Sequence, residues 1–137
     1  MNHRLRDDVR PAVQAGRFYQ AEAVGLRDEI ETMLEGAASG PAPQRAPAAL
    51  VVPHAGYPFS GPVAAAAFRT LRGHPIERVL LLGPSHFIDV KGGGLAPHGA
   101  FATPLGEVAV DQEAVGRLLQ EPAFGLNEEA HGREHSL

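Results

Sequence analysis

The chain of 137 residues has no cysteine, so no disulfide framework supports it, a usage that fits a reducing compartment. Its first residues, MNHRLRDDVRPAV, have no signal-peptide core, and no apolar run approaches the ~20 residues of a membrane span. A cytoplasmic protein without a membrane partner is expected. There is no basic run and the formal net charge is -4, which argues against nucleic acid or an anionic lipid surface as partner. The expected ligand is small or proteinaceous. Internal repeats and coiled-coil heptads are also missing. Two familiar chemistries lack their signatures. Ser85 has no G-x-S-x-G elbow around it, and Gly92-Gly93-Gly94 is not followed by the Lys-Ser/Thr of a phosphate loop, Lys91 standing on the wrong side.

What is present suffices for one globular domain with a core, at 44% hydrophobic and 20% charged residues. The organising stretch runs from Ala48 to His86. Ala49–Val52 and Val79–Leu82 are unbroken apolar runs, written like strands covered on both faces. Between them Pro62–Leu71 is alanine-rich, with proline suited to a first helical turn and Gly73 beyond the end. Strand, helix and strand make a βαβ crossover with parallel strands. Their C-terminal ends share one sheet edge, where ligands bind in open α/β sheets. His54 leaves the first strand there and His86 leaves the second.

Elsewhere, Arg10–Tyr19 reads as a packed lead-in with Phe18 and Tyr19 as anchors, and Glu22–Leu34 as an amphipathic helix. Residues 36–47 read as a Pro- and Gly-rich connector. Gly94–Ala96 suits a short strand, Phe101–Val110 a hairpin about Pro104-Leu105-Gly106, and Gln112–Leu119 a helix capped by Asp111. Ala123–Asn127 suits a strand or loop, and Glu128–Leu137 is polar and rich in ionisable groups.

Seven histidines are present. His3 is terminal, His74 follows a helix end, and His98 reads as an exposed loop residue. His54 and His86 stand apart because each follows an apolar strand and is flanked by residues that fix the backbone: Pro53 and Gly56 for one, Gly83 and Pro84 for the other. Two such imidazoles form half of a zinc or non-haem iron site. Asp89, Glu134 and His135 are the candidates for a third contributor, with Asp89 read as a turn cap. His131 and His135 would share a face if helical. Glu134-His135 would alternatively be a hydrogen-bonded pair that orients an imidazole from behind.

Taken together, AGRFY (15–19), VVPHAGYPFSGPVAAAAF (51–68), LLGPSH (81–86), FATPLGEVAVD (101–111) and EHSL (134–137) resemble the Memo family, also called AmmeMemoRadiSam system protein B. Gln20 departs from the proline that commonly follows AGxFY. The resemblance implies an α/β fold with a mixed sheet and helices on both faces, similar to class III extradiol dioxygenases. Residues 1–137 would be the N-terminal portion of a single such domain, apparently truncated. His54 and His86 match the family histidines that correspond to iron ligands in those dioxygenases, and His135 falls among pocket positions suited to an acid/base or orienting role. Fe(II) is the implied metal, with copper and zinc open, and the third ligand would lie outside this chain. A chain so divided is expected to bind metal weakly and to be inactive alone. The implied activity is metal-dependent oxidation. The alternative is a non-catalytic module binding a peptide or protein in the same pocket, and a zinc-dependent hydrolase is a third reading. The family name further implies association with AMMECR1-like and radical-SAM proteins.

Overall fold

A computed structural model describes residues 5–37 and 43–137. In chain order the elements are β1 (Val9–Arg10), α1 (Ala23–Gly36), α2 (Tyr57–Phe68), a 3-10 turn (Arg69–Leu71), β2 (Gly93–Leu95), β3 (Ala100–Thr103), β4 (Gly106–Ala109), α3 (Gln112–Leu118), β5 (Phe124–Leu126) and α4 (Glu128–Gly132). This is a mixed α/β chain, as its sequence implies. It comprises two compact units: Gln14–Leu81, and the residues up to Val13 together with Leu82–Leu137.

In the first unit α1 packs on α2, burying Leu26 on one helix and Ala65 on the other. The two helices approach closely at Gly61, where a Cβ would run into the Met33 sulfur. Arg72 pairs with Glu31, and the Arg69 guanidinium donates to the Ala37 carbonyl at 3.0 Å. Helix α2 begins five residues earlier than Pro62 suggests. Gly56 caps it and Pro58 occupies the first turn, so Pro62 lies inside and forfeits the bond its N–H would have made one turn back. The two apolar runs differ from expectation more sharply. Neither Ala49–Val52 nor Val79–Leu82 belongs to a strand. Val51 is 99% exposed and Leu82 83%. Such a run signals the environment it needs, namely neighbouring strands and covering layers, and the described residues supply neither. The βαβ crossover is therefore not formed in this chain. Residues 38–42 of the expected connector lie outside the described residues.

The second unit holds the sheets. β1 pairs in parallel with β3, and β3 in antiparallel with β4, so the order is β1-β3-β4. The hairpin turns at Pro104-Leu105, and Gly106 takes φ 129°, a conformation that excludes most side chains. β2 and β5 form a parallel pair with Gly93 opposite Phe124 and Leu95 opposite Leu126. Helix α3 starts where Asp111 caps it, its carboxylate accepting from the Ala114 N–H at 2.8 Å. Helix α4 is an element that the polar composition of Glu128–Leu137 concealed. The Asn127 side chain caps it by accepting from the Ala130 N–H at 3.0 Å.

Polar groups supply much of the burial in this unit: Arg10, His98, His131 and Glu134 are buried. His98 is thus no exposed loop residue. Its Nδ1 lies 2.9 Å from Asp8 Oδ1, and the Arg6 guanidinium bridges that pair to Glu128. That contact needs β1 and the loop before β3 to meet, which local glycine content does not signal. His131 Nε2 donates to the Gly94 carbonyl at 2.9 Å, while its Nδ1, the lone-pair nitrogen, is buried without a donor.

Burial depresses the basicity of His131. The Gly94 bond opposes that shift, the charges of Arg10 and His98 reinforce it, and Glu134 opposes it. The unfolded chain therefore takes up a proton near pH 6.5 that the folded chain refuses until lower pH, so stability falls as pH is lowered from about 6.5. Urea unfolding from pH 7.5 to 5 is expected to show this slope, and His131→Gln, which keeps a donor for Gly94, is expected to flatten it.

Candidate functional site

The site residues of the second unit come from two loops whose contacts explain their sequences. Gly83-Pro84-Ser85-His86 runs beside Glu134-His135-Ser136. A Cβ on Gly83 would lie 2.8 Å from the Ser136 carbonyl oxygen, so only glycine permits the approach. The Ser136 hydroxyl donates to the Pro84 carbonyl at 2.8 Å, and the Ser85 hydroxyl closes its own turn on the Ile88 carbonyl at 2.8 Å. The signatures LLGPSH and EHSL are therefore two halves of one junction.

Glu134 is its centre. The residue is 2% exposed, and its side chain accepts four N–H groups: the His86 backbone and ring Nδ1, both at 2.8 Å, and the backbones of His135 and Ser136 at 2.8 and 3.0 Å. Burial alone would raise its carboxyl pKa. The donors, led by the His86 backbone and ring, overcome that and hold it well below the usual carboxylate range. An ionised carboxylate only accepts, so the proton between it and His86 sits on Nδ1. In the neutral form of the ring Nε2 is then the lone-pair nitrogen, the form in which imidazole ligates metals.

His135 stacks on His86, ring centroids 4.3 Å apart and planes inclined by 26°. Its Nδ1 lies 3.5 Å from the same Glu134 oxygen. Phe87 meets the His135 ring edge-on at 6.3 Å and is itself covered by the Arg133 guanidinium at 4.7 Å. The structure thus brings His86 and His135 together and gives Glu134 the orienting role. His131 does not join them: α4 ends at Gly132, which sends His131 inward to Gly94 while His135 continues to His86. Asp89 is exposed after His86. His54 belongs to the other unit, in extended chain before α2, and is exposed. The turn after it is fastened by the Ser60 hydroxyl, which donates to the Ala55 carbonyl at 2.7 Å.

The sequence model of the Memo-like protein family matches residues 10–137. The chain belongs to the Memo family. A MEMO1 family protein of Sulfolobus acidocaldarius is 40% identical over 93% of this chain and 48% of its own length. One from Methanothermobacter thermautotrophicus is also 40% identical, over 93% and 48%. The memo-1 homolog of Caenorhabditis elegans is 34% identical over 96% of this chain and 37% of its own. The chain spans about half the length, or less, of these curated relatives. None of the described helices is long and apolar enough to cross a membrane.

Because Glu134 neutralises four buried or half-buried donors, its removal should exceed the cost of one hydrogen bond. Glu134→Ala is expected to destabilise the chain by about 3 kcal/mol or more, and Glu134→Gln, which keeps one acceptor oxygen, by less. Denaturant unfolding of both variants checks the order.

Proposed function

We propose that this Memo-family chain contributes His54 and His86 to a divalent metal site, Fe(II) foremost, with His135 as the neighbouring acid/base. The observation that carries the reading is the 2.8 Å bond from His86 Nδ1 to Glu134, a carboxylate–imidazole pair of the kind that stands behind metal-bound histidines. The donor type fits the group: His54, His86 and His135 are imidazoles, which suit iron, copper and zinc alike, and the resemblance of the family to class III extradiol dioxygenases favours iron.

An Fe(II) ion held there would supply redox chemistry for an ene-diol-like substrate such as a catechol. The residues of the chain do the rest. Glu134 fixes the His86 tautomer and ring plane. The His135 imidazole, stacked beside His86, is placed to take or return a substrate hydroxyl proton. Phe87 and Arg133 wall that ring on its far edge. Since the chain spans about half the length of its relatives, the activity and substrate of a whole family protein are part of this proposal, as are AMMECR1-like and radical-SAM partners. Occupation of the same pocket by a peptide, without metal, is the competing reading. It draws on the family resemblance alone, whereas the oriented imidazole specifically favours metal.

Anaerobic Fe(II) titration of this chain is expected to show weak binding, which the His54→Ala/His86→Ala double variant abolishes. Oxygen uptake that requires both Fe(II) and a catechol would establish the oxidation. Partner binding without metal that survives the double substitution would establish the competing reading.

A further inference from the structure

Arg10 has no place in the chemistry above, yet it is buried and reaches the same junction from β1. Its Nε and terminal nitrogen both donate to the His131 carbonyl, at 3.0 and 2.8 Å, and the terminal nitrogen also donates to the Glu134 carbonyl at 2.8 Å. These acceptors lie on either side of Gly132-Arg133, the two residues where α4 ends and the chain turns toward the site. A helix end leaves carbonyls unsatisfied, and a planar guanidinium can take two in one plane where an ammonium cannot. Arg10 is itself held in plane. Phe101, its register partner on β3, stacks under the guanidinium with 5.1 Å from its central carbon to the ring centroid, and the same ring meets His131 edge-on at 6.5 Å.

We infer that Arg10 is a positioning residue for the Glu134–His86–His135 junction. By clamping the backbone at His131 and Glu134 it fixes where the Glu134 side chain enters, and so where that carboxylate meets its four donors. The sheet and the site are thereby coupled through one side chain. Arg6 makes an instructive contrast. It reaches the opposite end of α4, at Glu128, from the partly exposed network with Asp8 and His98.

The inference rests on the metal reading only for one arm of its test. Arg10→Lys keeps the charge and loses the fork. It is expected to weaken Co(II) binding, read from the visible spectrum of the metal, about tenfold, the usual effect of losing a partner behind a ligand. Amide hydrogen exchange at His86, His135 and Ser136, the three backbone donors to Glu134, is expected to speed up by a similar factor, with the β3–β4 amides unchanged. Arg6→Lys should leave both readouts as in the unaltered chain. Phe101→Leu, which removes the support but not the clamp, should give a smaller change in the same direction and serves if Arg10→Lys does not fold. Exchange that accelerates equally everywhere, or not at all at the three amides, would overturn the positioning role. If the unaltered chain binds no Co(II), the metal reading fails by itself and the exchange arm still decides the role of Arg10.

Discussion

The junction around Glu134 depends on one carboxylate being ionised in a buried place. Such a group is tolerated only when its charge is answered, and here the answer is four N–H donors with no paired cation required. This arrangement does two things at once. Three donors are backbone groups of His86, His135 and Ser136, so the carboxylate ties two loops together. The fourth is the His86 ring, so the same charge selects a tautomer. The joining of the loops and the tautomer of the ring are thus set by one side chain.

The surrounding contacts serve that requirement. Gly83 allows the loops to touch, Ser136 locks them by its bond to Pro84, and Arg10 sets the backbone from which Glu134 projects. The network of Arg6, Asp8, His98 and Glu128 holds the start of α4 in the same unit. Much of the burial in this unit is consequently polar, and its specificity rests on directed bonds more than on apolar volume.

Much of this was legible in the sequence, and the rest was hidden for definite reasons. Asp111, Gly106 and the periodicity of α1 are local signals, and the corresponding helices and hairpin are formed. The histidines His86 and His135 stood out by motif, and Glu134 was recognisable as an orienting partner for an imidazole. Arg10 and His98 were not, because their roles come from β1 lying beside β3, a contact between residues about 90 apart. The apolar runs at 49–52 and 79–82 taught the reverse lesson: a pattern that reads as a covered strand states a need for neighbours, and exposed Val51 and Leu82 show that need unmet within the described residues. Pro62 misled for a simpler reason, since Pro58 had already taken the first helical turn.

The central claim is that Glu134 presets the His86 ring for ligation. Nitrogen-15 chemical shifts of the His86 imidazole, recorded on the metal-free chain at neutral pH, test it most directly. The account predicts that Nδ1 carries a proton and that, in the neutral form of the ring, the lone pair is on Nε2. A ring protonated on Nε2 alone would contradict it, because the Glu134 carboxylate would then face a lone pair and the junction as described could not exist.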